Sequence, residues 1–127
     1  MTRYLDLKAI GYGVAVFTLG WLALAVSATV AANSAPLLAR VAWAVVQAGV
    51  FVVPGIAGYV SALRASTRPI LHGSLAGSIG IAVLACIAAG FFPQYPAWGI
   101  PLVVAIFALV AALGAIFGKH RRDKAGP

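Results

Sequence analysis

Leu63-Arg64-Ala65-Ser66-Thr67-Arg68-Pro69-Ile70 is a short basic turn set between two long apolar runs. No Asp, Glu, Lys or Arg interrupts the run from Val41 to Leu63, and none follows between Ile70 and Gly118. A bilayer core takes roughly 20 apolar residues per helix, and the run on each side of the turn is that long. Pro69 suits the first turn of a helix, where its missing N–H costs nothing. Two helices joined by so few residues must lie side by side and antiparallel. The turn therefore reads as the bend of a membrane-spanning hairpin, and its two arginines place it on the cytoplasmic side.

A second hairpin surrounds the first. One span runs from about Lys8 to Ala32 and breaks at Asn33-Ser34-Ala35-Pro36, and the next runs from about Leu37 to Leu63. The third covers about Pro69 to Gly90 and the fourth about Trp98 to Phe117, with Pro101 in its first turn. The apolar stretch from Ala9 to Ala32 exceeds the 7–15 residues of a signal-peptide core, so it reads as a true span. Composition agrees, with 63% hydrophobic and 9% charged residues, where a soluble domain carries about 25% charged. The fold class is all-α: an integral membrane up-down four-helix bundle forming one domain over residues 1–118, followed by a basic, poorly ordered cytoplasmic tail over 119–127. Pro54, followed by Gly55 and Gly58, marks a kink inside the second span. The loop Phe91–Trp98 holds four aromatic residues and is expected at the headgroup level.

Charge sets the orientation. Of nine basic residues, Arg3, Lys8, Arg64, Arg68, Lys119, Arg121, Arg122 and Lys124 fall on one side of this map, and only Arg40 on the other. Both termini are thus expected in the cytoplasm. The net charge of +7 does not indicate a nucleic-acid binder, because it lies at segment ends instead of on a folded polar surface. It suits anchoring to anionic lipid headgroups, worth about 1 kcal/mol per basic residue near the surface. Arg40 is expected to snorkel to the opposite headgroups or to hold a lipid phosphate there.

Acids are nearly absent. Asp6 precedes the first span and Asp123 lies in the tail, so no carboxylate sits in a membrane core as ion-coupled carriers commonly require. Small multidrug carriers have a similar size and span number, but the glutamate in their first span has no counterpart here. General acid–base catalysis needs a titratable pair within hydrogen-bonding reach, and the spans offer His72, Cys86 and a few hydroxyls. His72 and His120 have no Cys, Asp or Glu at ligand spacing. No enzymatic activity, metal or cofactor is expected, and Cys86 reads as a small packing residue.

Three groups of residues remain as candidates. Gln47 shares a helical stripe with Arg40, Trp43, Val50, Phe51 and Pro54; its amide either makes a helix-packing hydrogen bond or, with Pro54 and Arg40, lines a solute path. Gly73 with Gly77, and Gly114 with Gly118, match the GxxxG spacing that lets helix backbones approach. Those glycines serve either packing within the chain or a homo-oligomer interface. Arg64, Arg68 and His72 recur every four residues around the basic turn and could converge on one anion, such as a lipid phosphate.

Around this turn, Gly55-Ile56-Ala57-Gly58-Tyr59-Val60-Ser61-Ala62-Leu63-Arg64-Ala65, followed by Leu71-His72-Gly73, resembles a group of uncharacterised small bacterial four-span membrane proteins with a Gly/Ala-rich hairpin. The resemblance spans about 25 residues. It implies a multi-pass protein of the bacterial inner membrane and carries no catalytic residue, substrate or cofactor. The sequence thus points to a non-catalytic membrane protein acting through helix–helix and lipid contacts, as an accessory or assembly subunit or a self-associating scaffold. The partners it implies are anionic lipids and a second copy or another membrane protein, with no nucleic acid. The alternative is an oligomeric channel or uncoupled carrier for a small neutral or anionic solute.

Overall fold

The computed structural model describes residues 5–91, 94 and 98–126, and these hold four helices: α1 (Leu7–Ala32), α2 (Pro36–Arg64), α3 (Pro69–Phe91) and α4 (Gly99–Ala125). Each is long and apolar enough to cross a membrane. At 1.5 Å per residue even α3, with 23 residues, extends about 34 Å, beyond the roughly 30 Å hydrocarbon core. By length and composition this is a multi-pass membrane protein. Arg3 and most of the aromatic loop (residues 92, 93 and 95–97) lie outside the described residues.

Local sequence explains the helix ends. Asp6 caps α1 by accepting from the backbone N–H groups of Lys8 (3.1 Å) and Ala9 (3.2 Å). Pro36 and Pro69 open α2 and α3, as expected for proline in a first turn. Pro54 lies inside α2, yet the helix continues unbroken to Arg64 and the proline ring is buried. The α4 helix differs from the sequence reading: it continues through the expected tail, from Lys119 to Ala125. No helix breaker intervenes before Gly126, and Arg122 and Lys124 in the last turn complement the negative end of the helix dipole.

Successive helices pack on one another, but the cross-section is a rhombus. α1 and α4 each lie against both α2 and α3, while the described backbones of α1 and α4 do not meet. The short diagonal is α2–α3, and α2 also packs on α4. Backbones approach very closely there. A Cβ added at Gly58 would collide with the backbone of Ala111, and one at Gly114 with the Gly55 carbonyl. At Gly118 it would stand 2.6 Å from the Tyr59 carbonyl oxygen. Gly73 and Gly77 face the methyl groups of Ala115 and Ala111, again from α4. On α1, a Cβ at Gly13 would lie 2.6 Å from that of Ala76 and 2.9 Å from that of Ser61. Lipid tails are as apolar as leucine, so helix association in a membrane depends on such van der Waals contact. Gly73, Gly77, Gly114 and Gly118 are therefore engaged within the chain.

Burial is uneven along the bundle. Apart from Ala31, the buried residues gather in the half nearer the termini: Ala9 to Phe17 on α1, Val53 to Ala62 on α2, Pro69 to Ile81 on α3 and Phe107 to Gly118 on α4. This closed half is here called the terminal end. Toward the far end α1 and α2 stay packed, Leu24 against Gly49, while α3 and α4 flank an apolar cleft of about 690 Å³. Cys86, read as a packing residue, is exposed on α3.

The glycine contacts make a paired prediction. Gly58→Ala and Gly114→Ala drive a methyl group into facing backbone, and each is expected to destabilise by at least the ~1–3 kcal/mol typical of overpacking. Gly11→Ala, where nothing lies within 4 Å, is expected to be neutral or stabilising by up to ~1 kcal/mol. Thermal unfolding in one mild detergent checks both.

Candidate functional site

The terminal end carries the densest polar chemistry, and His72 is at its centre. This side chain has no exposed surface. Its Nε2 accepts from the Asp6 backbone N–H at 2.7 Å, and its Nδ1 lies 2.9 Å from the Arg68 carbonyl oxygen. Only the neutral Nδ1–H tautomer satisfies both bonds, since Nε2 must offer a lone pair while Nδ1 donates. The ring thereby ties the cap of α1 to the α2–α3 turn. The same Arg68 carbonyl accepts the His72 backbone N–H at 3.2 Å, the first bond of α3. Arg68 itself has φ of +44°, in the left-handed region that costs a non-glycine residue roughly 1–2 kcal/mol. Its doubly bonded carbonyl helps to hold it there.

Three further contacts close this end. The Arg64 guanidinium lies 4.9 Å from the centroid of the Tyr12 ring, joining α2 to α1. From α4, Arg121 donates to the Tyr59 hydroxyl at 3.2 Å, and Arg122 donates to the Ala65 carbonyl at the end of α2. Ala65 is buried, and its own N–H donates to the Ser61 carbonyl at 3.0 Å. Among the described basic residues, all but Arg40 stand at this end of the bundle.

The expected convergence of Arg64, Arg68 and His72 on one anion does not form. His72 is buried and gives both ring nitrogens to backbone partners, so no donor remains for a phosphate. Arg64 and Arg68 are exposed, one laid on Tyr12 and the other at the turn. A four-residue spacing indicated a shared face, but the chain reverses direction at Arg68, and the helical period does not carry across the bend.

Gln47, Pro54 and Arg40 separate as well. Pro54 is buried against the other helices, whereas Gln47 and Arg40 are exposed on α2. The Gln47 amide makes no hydrogen bond within the described structure. Pro54 therefore shares no exposed surface with Gln47 and Arg40. Arg40, Trp43, Gln47 and Phe51 form a stripe along α2 that is exposed, with Phe51 also stacked on Phe107 of α4.

Asp6 was read only as an acid outside the membrane, yet it organises the α1 end. An Asp directly before an apolar run is a helix N-cap signal. Its carboxylate is held below the usual 3.8, foremost by the Ala9 N–H and against the opposing effect of desolvation. Because that pKa is lowered on folding, the cap contributes stability above about pH 3.8, lost as pH falls through the lowered value. Accordingly, the gap in melting midpoint between the parent and Asp6→Ala should be full at neutral pH and narrow below that range. His72→Ala orphans the Asp6 N–H and weakens the hold on the turn. It is expected to cost about 1–3 kcal/mol, read from thermal unfolding in detergent; an unchanged midpoint would remove the clamp.

Comparison of the chain with protein-family models, curated sequences and solved structures finds no match.

Proposed function

We propose that the chain is a non-catalytic integral membrane protein that works as a self-associating scaffold, through helix–helix contact on α2 and anionic lipid at its basic end. The observation that carries this reading is Gln47. Its amide is exposed near the middle of a 29-residue apolar helix and has no hydrogen-bond partner among the described residues. In hydrocarbon an unpaired amide is costly, so a polar group from outside the chain must meet it. An amide both donates and accepts, and a second copy inserted in the same orientation presents the same amide at the same depth. Ala44 and Ala48, exposed beside Gln47, allow the two helices to approach.

The glycine faces support this choice indirectly. Gly73, Gly77, Gly114 and Gly118 already contact other parts of the chain, which favours the exposed α2 stripe with Gln47 as the contact face. The basic residues at the terminal end favour a cytoplasmic orientation for both termini, and the resemblance of the α2–α3 hairpin favours a bacterial inner membrane. Arg64 and Arg68, both exposed, remain the candidates for anionic headgroups of that leaflet. The channel or uncoupled-carrier alternative draws on Arg40 and Gln47 sharing the exposed stripe. A path built from them could run only between protomers.

An interhelical hydrogen bond in a membrane contributes about 0.6 kcal/mol, up to about 2. Gln47→Leu should therefore weaken self-association roughly 3- to 30-fold, measured by native mass or by fluorescence transfer between labelled copies in bilayers. A monomeric parent would reject the scaffold, and dimerisation indifferent to Gln47→Leu would reject the interface. Anion flux into liposomes that vanishes in the same variant would favour the channel. Separately, replacing Arg64 and Arg68 with Gln should reduce co-purified anionic lipid, whereas equal retention would leave the arginines as topology anchors.

A further inference from the structure

Arg40 is set apart from every other described charge. The remaining described acidic and basic residues stand at the terminal end, and Arg40 alone lies in the far half. Arg64, Arg121 and Arg122 meet Tyr12, Tyr59 and Ala65 of their own chain. Arg40 is exposed and makes no hydrogen bond, ion pair or ring contact among the described residues. Its depth follows from the helix that carries it. α2 has 29 residues, about 43 Å at 1.5 Å each, so when centred it overhangs a roughly 30 Å hydrocarbon core by about 6 Å at either end. Arg40 is four residues past Pro36, about 6 Å along the axis. Its backbone thus sits at the edge of the hydrocarbon, and its long side chain reaches the lipid phosphates of the leaflet opposite the termini.

Arg40 also shares the face of Gln47. Seven residues separate them, which is two turns of helix with a residual rotation of about 20° and a rise of about 10 Å. Two parallel copies paired through Gln47 therefore bring their Arg40 side chains together at one depth, where like charges oppose association. We infer that this pair is bridged by the phosphate of one phospholipid in the leaflet opposite the termini, gripped by a guanidinium from each copy. A guanidinium presents a planar fork of donors that matches phosphate oxygens, and a phosphate accepts from two sides at once. The source is a lipid because the bilayer holds its phosphates at the level of Arg40, whereas a free anion is drawn from dilute solution. One copy supplies only half of the site, so the lipid and the second copy bind together. This inference rests on the Gln47 pairing proposed above and adds a ligand requirement to it.

The test measures fluorescence transfer between labelled copies of the full-length protein in two kinds of vesicle, phosphatidylcholine and the phosphate-free digalactosyl diacylglycerol. Both lipids carry no net charge, so surface potential does not differ. The parent is expected to associate at least about tenfold more tightly in phosphatidylcholine, and its dimer to retain one phospholipid in native mass spectrometry. Arg40→Gln should remove that difference. In the glycolipid it should associate more tightly than the parent, because the repulsion is gone while Gln47 remains. This reversal separates a bridged charge pair from the loss of a packing side chain. Arg40→Lys keeps the repulsion but lacks the fork, so it should gain less from phosphatidylcholine than the parent does. Equal association of the parent in both vesicles overturns the inference and leaves the Gln47 contact standing. No association in either vesicle, for the parent and Arg40→Gln alike, rejects the Gln47 contact and this inference with it. Inorganic phosphate that restores the parent in the glycolipid to its phosphatidylcholine level overturns the lipid as the source.

Discussion

Backbone contact between α2 and α4, Gly58 against Ala111 and Gly55 against Gly114, is the constraint on which the other features depend. In a bilayer the hydrophobic effect does not press helices together, so the contact that exists is the one that side chains permit. Here the glycines that meet facing backbone, Gly58, Gly73, Gly114 and Gly118, lie in the terminal half, and there the helices close. Helices that cross at one tight point separate away from it. At the far end the glycines meet side chains instead, Gly49 against Leu24 and Gly20 against Val53, and Leu84 and Val50 flank an open cleft. A closed base and an open top follow where backbone-to-backbone glycine contact gives way to side-chain contact.

Closure of the base makes its polar chemistry structural. His72 is buried because Gly73 and Gly77 bring α3 onto α4 and Gly13 brings α1 onto α3. Once buried, the imidazole must pair both nitrogens, and the Asp6 N–H and Arg68 carbonyl are within reach. Arg122 performs a similar task from α4 by meeting the last carbonyl region of α2, which also explains why that helix continues past Gly118. Basic residues read as a lipid-facing rim are thus partly committed to tying helix ends together.

Much of the fold was legible in the chain. Long uncharged runs, Pro36 and Pro69 at helix starts, and the basic turn at Arg64–Arg68 determine four helices and their succession, because hydropathy and proline geometry are local properties. The pairing of helices was less accessible. GxxxG spacing defines a flat stripe on α3 and on α4 but carries no information on which surface meets it; both stripes turn inward. The exposure of Gln47 was equally hidden, because the stripe it shares with Arg40 and Pro54 is exposed at Gln47 and buried two helical turns further on at Pro54, where the helices close. The cleft depends on where α3 and α4 diverge, a tertiary property with no signature at Ala85 or Ala88. Asp6 was the missed signal that the sequence did contain.

Cysteine cross-linking in native membranes tests most directly the central claim that the glycine faces are consumed within the chain and association proceeds through α2. In a Cys86→Ala background, single cysteines would be placed along the exposed faces of α2, α3 and α4. Cross-links between copies are predicted to peak at positions 43, 44, 47 and 51 of α2 with helical periodicity, and to be weak at exposed positions such as 79 on α3 and 109 on α4. A pattern centred on the α3 or α4 faces, or no cross-link between copies at any α2 position, would contradict it.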